Sequence, residues 1–169
     1  MKKLIWPLLI IIITVFVDQI TKVWALNNLF ENAPVKVFGN FFMLTLVFNE
    51  GGAMGTNFGS PTYYLISSLF ILIFVLYYIY LNRNTLIMSI PLACIAGGAI
   101  GNIMDRIFLG RVIDFFDIDF FNINMLGINI ERWWTFNIAD AAISCSIIIL
   151  LVHLLFIKTN ADKIDQSEM

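Results

Sequence analysis

An all-α integral membrane protein is the fold class this sequence predicts: four transmembrane helices, with small interfacial β segments on the extracytoplasmic side. Three observations carry the expectation. Of the 169 residues, 60% are hydrophobic and only 13% are charged. Mean hydropathy is +0.87. Apolar runs of about 20 residues, the length that crosses a bilayer at roughly 1.5 Å per residue, occur four times. A water-soluble globule of this composition would lack the polar surface to cover itself. The runs fall near residues 4–24, 62–81, 86–104 and 138–157. Residues 1–169 therefore read as a single membrane-embedded domain, with two polar-containing segments at 25–61 and 105–137. The ten Lys and Arg residues form no basic stripe, so no nucleic-acid partner is expected.

Each element follows in chain order. MKKLIWPLLIIIITVFV has the charged start and apolar run of a secretory signal, but no small-x-small cleavage site follows it. Asp18, Gln19, Thr21 and Lys22 continue it at helical spacing, which predicts an uncleaved first span. Asp18 and Lys22 lie four apart on one face and can neutralise each other. VKVFGNFFMLTLVFN (35–49) is rich in β-branched and aromatic residues around a Gly39-Asn40 turn, predicting interfacial strands. NEGGAMG (49–55) follows, with glycines that let another chain approach its backbone. Pro61 opens the second span, whose terminal tyrosines suit an aromatic belt. Asn82–Thr85 is a tight connection, so spans two and three form an antiparallel hairpin. Gly97 and Gly101 make a small-xxx-small pair for close helix packing. From Phe116 to Glu131 polar and apolar residues alternate around Leu126-Gly127, predicting an amphipathic β-hairpin, and Trp133 and Trp134 anchor the start of span four.

Because four spans alternate direction, the end of span one, the end of span three and the start of span four share one membrane face. That face collects Asp18, Lys22, Asn49, Asn102, Asp105, Arg106, Asp114, Asn137 and Asp140. Positive residues split evenly between the faces; with Arg106, Arg111 and Arg132 assigned to acidic partners, the N-terminal lysines decide the orientation and both termini are placed in the cytoplasm. Asp114 follows span three by only a few residues and Asp140 opens span four, so the two carboxylates are expected to approach from two different helices. Two carboxylates held close in a poorly hydrated site cannot both ionise and titrate as a unit. One can take a proton from water while the other donates to a carbonyl oxygen, which is amide hydrolysis without a nucleophile or a metal. Cys94, Cys145 and the distant His153 supply no metal-ligand or disulfide spacing, so no metal or cofactor is expected. Acids at helix ends also serve as caps or interfacial charges. A proton-coupled transporter or small channel would use intramembrane acids too, but these acids sit at one end and the halves show no internal repeat.

DQITK (18–22), NEGGAMG (49–55), GGAIGNIMDR (97–106), GRVIDFF (110–116) and FNIAD (136–140), in this order across four spans, closely resemble lipoprotein signal peptidase, the type II signal peptidase of bacteria. The resemblance covers nearly the whole chain. It implies a catalytic dyad of Asp114 and Asp140 and substrate contacts from Asn49, Gly51, Asn102, Arg106 and Asn137, with Asp18, Lys22 and Asp105 in support. The implied substrate is a prolipoprotein whose cysteine carries diacylglycerol, cut on the amino side of that cysteine by a monomer in the bacterial inner membrane. Membrane lipids are further implied partners, as are the peptide antibiotics that inhibit the family. Two departures stand out. Gly52 and Met54 replace the family's common alanine and bulky aromatic, and the extra length between Asp114 and Asp140 falls in the amphipathic hairpin, expected on the outer surface near the substrate entrance.

Overall fold

The computed structural model describes residues 4–52, 56, 59–119, 123–125, 128–130 and 134–167. Its order is α1 (Ile5–Asn28), β1 (Val35–Phe38), β2 (Phe42–Asn49), α2 (Pro61–Leu81), α3 (Leu86–Leu109), β3 (Val112–Ile118), β4 (Ile123–Met125), β5 (Ile128–Ile130) and α4 (Ile138–Ser167). Four helices are long and apolar enough to cross a membrane: α1, α2, α3 and residues Ile138–Phe156 of α4. The predicted spans are thus all present, and α1 and α3 run a turn or more further than their apolar stretches alone suggest.

The central helix is α3. In its most apolar window 67% is buried, against 17%, 17% and 11% for α1, α2 and α4, so the other three present most of their surface outward. Small residues make this possible: α3 packs on α1, α2 and α4 at once, and a Cβ added at Gly97 would lie 2.7 Å from Thr14 Cβ in α1, whereas one at Gly98 would lie 2.6 Å from the Ala139 carbonyl in α4. A Cβ at Gly101 would meet the Asp18 carboxylate in the same way. The buried positions of α1 from Asp18 onward, Lys22 and Ala25, recur at one-turn spacing and form a single inward stripe. Leu86–Leu109 ends at Gly110, whose φ of 73° is the left-handed cap that glycine adopts without strain.

Gly101→Ala is expected to cost about 1–3 kcal/mol through overpacking, because the Asp18 oxygen it would strike is fixed by its own partners. Thermal unfolding in detergent should show a Tm several degrees lower, and an unchanged Tm would mean that α1 and α3 are free to separate.

A three-stranded antiparallel sheet, β1-β2-β3, covers one end of the helices. β1 and β2 form the hairpin expected at 35–49, turning at Gly39 with φ 57°. β3 is an element that the sequence does not predict. It pairs with β2 through Val47↔Asp114 and Asn49↔Val112, so Asp114 approaches from a strand and not, as expected, from a helix. Residues 116–118, predicted as the start of the amphipathic hairpin, belong to this strand, held by Met43↔Asp117 and by Thr45 Oγ1 donating to Asp117 Oδ2 at 2.8 Å. The remaining hairpin is present as β4 and β5, paired through Asn124↔Asn129. Its Leu126-Gly127 turn, Trp133, Arg132 and Met54 lie outside the described residues. Ala25, Leu29, Leu46, Ile113 and Phe115 form the apolar cluster that seats the sheet on the helices.

Candidate active site

Asp140 occupies the first turn of α4. Asn137 precedes that helix, and its Oδ1 accepts the Asp140 N–H at 2.9 Å while Asp140 Oδ2 accepts the Asn137 N–H at 3.3 Å. This reciprocal pairing is the capping-box arrangement, with Asn at the cap and Asp three residues on. FNIAD thus encodes its own helix start, and the cap fixes the Asp140 side chain.

The Asn137 side-chain amide points the other way, into the sheet. Its Nδ2 donates to Asp114 Oδ1 at 2.8 Å, to the Ile113 carbonyl at 3.2 Å and to Asn102 Oδ1 at 3.1 Å. Asn102 Nδ2 in turn donates to Asp140 Oδ1 at 2.8 Å. Two asparagines therefore link the two carboxylates, one from β3 and one from α4. The second oxygen of Asp114 accepts Asn49 Nδ2 at 3.0 Å from the end of β2. Asp114 is 1% exposed. Burial, then the negative charge of Asp140, push its carboxyl up from the ordinary 3.8 to about 7.

Beyond Asn49 the backbone turns sharply. Gly51 N–H donates to Asn49 Oδ1 at 2.9 Å and Gly52 N–H to the Thr56 carbonyl at 2.8 Å. A Cβ at Gly52 would lie 2.6 Å from the Tyr64 ring, which accounts for glycine where the family commonly has alanine. Arg106 Nη2 reaches across from α3 to the Gly51 carbonyl at 3.0 Å. Its guanidinium thus binds backbone oxygen directly, while the acidic groups expected beside it, Asp140, Asp114 and Asp105, act on it through their charge. Arg111, for which an acidic partner was also expected, stacks over Phe48, 3.7 Å from the ring centroid. A cleft of about 360 Å³ opens onto this corner, lined by Asn49, Gly51 and Asp114 together with Val47, Phe48, Glu50, Trp134 and Thr135.

Behind the two asparagines lie the supporting charges. Lys22 Nζ is 2.8 Å from both Asp18 Oδ2 and Asp105 Oδ2 and donates to Asn102 Oδ1 at 2.8 Å. Every residue singled out from the sequence as catalytic, substrate-binding or supporting meets in this one region. Gln19 joins them without having been predicted: its Nε2 donates to Asp18 at 3.2 Å, to the Gly101 carbonyl at 3.2 Å and to Asp105 at 3.0 Å. Its place within DQITK, next to Asp18, is the signal that could have found it.

Fold and site together define a multi-pass membrane protein with a buried polar centre at one end of its helices. Residues 10–156 match the family model described as signal peptidase (SPase) II. The chain is 32% identical over 154 residues to the lipoprotein signal peptidase of Clostridioides difficile, covering 91% of this chain and 97% of that one. It is 36% identical over 152 residues to the lipoprotein signal peptidase of Pelodictyon phaeoclathratiforme, covering 89% of each. A solved bacterial membrane enzyme, determined by the in meso method at 2.3 Å resolution, superposes with a TM-score of 0.78 at 30% identity, covering 91% of this chain and 90% of the other. The chain belongs to the signal peptidase II family, and is a membrane-embedded protease.

Proposed function

We propose that this chain is an intramembrane aspartic endopeptidase that removes the signal peptide from diacylglyceryl-modified bacterial prolipoproteins, cutting on the amino side of the lipidated cysteine. The observation that carries the reading is the joining of Asp114 and Asp140 through Asn137 and Asn102, buried beside helices whose outer surfaces are apolar. The names of the relatives supply the substrate class.

The roles follow from the surroundings. With its carboxyl raised to about 7, Asp114 in its neutral form gives a proton to the scissile carbonyl oxygen. Asp140, in the first turn of α4, lies where helix N–H groups favour an anion and takes a proton from the attacking water. That proton passes to the leaving amine as the C–N bond breaks, and Asp114 recovers its own as the carbonyl reforms. Asn49 and Gly51, which line the cleft, hold the substrate backbone together with Asn102, Arg106 and Asn137 around the dyad. Val35, Val37, Phe38 and Phe41 are exposed along the β1–β2 hairpin, an apolar surface suited to resting on the outer leaflet. The site then lies near the extracytoplasmic face, with both termini in the cytoplasm and the enzyme acting as a monomer. The lipid fixes the cysteine at bilayer depth, so positioning supplies much of the rate.

The test is cleavage by the purified chain in liposomes, using one prolipoprotein with and without its diacylglyceryl group. Mass spectrometry should find the bond before the cysteine cut only in the lipidated form. Equal cleavage of both forms, or cleavage elsewhere, would remove the substrate assignment.

A further inference from the structure

Behind the dyad the helices bury a charged cluster that touches no reacting group. Lys22, Asp18 and Asp105 are 1%, 0% and 3% exposed. Taking three charges out of water costs several kcal/mol per ion, and apolar residues of similar size often stabilise a core as well. Stability alone is therefore a weak reason for the cluster to exist.

Its hydrogen bonds indicate another. Each carboxylate accepts one backbone N–H, and each N–H belongs to the residue immediately before a dyad aspartate. Ala139 N–H donates to Asp18 Oδ1 at 2.9 Å, and Ala139 precedes Asp140. Ile113 N–H donates to Asp105 Oδ2 at 3.1 Å, and Ile113 precedes Asp114. Lys22 ties the two carboxylates to each other at 2.8 Å apiece and ties both to Asn102, whose amide holds Asp140. Gln19 bridges the same pair from its own side.

β3 and α4 both pack on α1 and α3. The spacing of the two dyad carboxylates is therefore relayed through α1 and α3, and those helices carry Asp18, Lys22 and Asp105. Gly101, with no side chain, lets Asp18 reach across.

We propose that Asp18 and Asp105, locked together by Lys22, are positioning residues that set the separation of the Asp114 and Asp140 carboxylates by each holding the preceding backbone N–H. The inference rests on the dyad reading above. A displacement of about 1 Å at a reacting centre can cost on the order of 10²-fold in rate, so the device acts on kcat.

The test measures kcat and KM on a lipidated prolipoprotein in liposomes, with Tm for each variant, for Asp18→Ala, Asp105→Ala, Asp18→Asn and Asp105→Asn. The alanine variants should lose on the order of 10²-fold in kcat per folded enzyme at unchanged KM. The asparagine variants keep an oxygen for the N–H and should stay within about tenfold of the parent, since roughly 1.4 kcal/mol, near the worth of one hydrogen bond, is a tenfold change. Alanine variants that are folded and retain full kcat would overturn the proposal. Where they do not accumulate, the asparagine variants decide it: a native Tm with a loss beyond about 10²-fold would show that holding the N–H is not the role. Cleavage at the parental rate by Asp114→Asn or Asp140→Asn would instead defeat the dyad reading, so the two failures are distinguishable.

Discussion

Asparagine in place of Asp114 or Asp140 is expected to lower prolipoprotein cleavage by at least about 10³-fold, because a positioned acid or base contributes roughly 10²–10⁴ and each partner is useless without the other. The loss should not come from unfolding. Asp114 accepts amide N–H groups on both oxygens, so the amide introduced by Asp114→Asn would oppose one donor at a cost of about 1–3 kcal/mol. Against this, asparagine removes a buried acid whose carboxyl is raised to about 7. A raised carboxyl favours the folded state only while protonated; that stability is complete below the ordinary value of 3.8 and is lost as pH rises toward 7. Above that range the two effects oppose each other, and Asp114→Asn should remain folded. Pulse-labelled prolipoprotein in membranes should accumulate uncleaved beside normal amounts of either variant. Cleavage at the parental rate by either one would end the dyad assignment.

The same carboxyl sets the pH profile. Below about 7 Asp114 is neutral and able to donate, and above it the proton is lost, so kcat/KM, which reports the free enzyme's acid, should fall about tenfold per pH unit on the alkaline side when cleavage in liposomes is followed against pH.

How much of this is legible in the sequence depends on the range of each signal. The spans are, because hydropathic length is local, and with them comes the placing of Asp114 and Asp140 at one end, which follows from alternation alone. The Asn137–Asp140 cap is equally local. β3 is not, although VIDFF has the β-branched and aromatic content of a strand. What makes residues 112–118 a strand is pairing with residues 42–49, far away in the chain, and no periodicity reports that. The roles of Asp18 and Asp105 are hidden for the same reason. Both are visible as charges, but their N–H partners come from α4 and β3 and appear only once α1 and α3 have packed.

Lys22→Met should be the most damaging substitution for stability. The ammonium is the shared partner of two carboxylates and of Asn102, and it and both carboxylates are almost wholly buried. Removing one member of a buried ion cluster costs about 3–5 kcal/mol, because the charges left behind are uncompensated. For a chain of this size that lowers Tm by about 10 °C, read in detergent by intrinsic tryptophan fluorescence. Neutralising the whole cluster with Asp18→Asn, Lys22→Met and Asp105→Asn together should recover most of the loss, since no charge then lies buried without a partner. A triple variant as unstable as the single one would show that Lys22 acts through packing and not through charge. The comparison also bears on why a membrane enzyme retains these ions: the triple variant keeps acceptors for Ala139 and Ile113 but loses the ammonium that binds the two anchors together. Regained stability with incomplete regain of kcat is therefore the expected result. It would separate what the cluster contributes to folding from what it contributes to holding two aspartates at one distance.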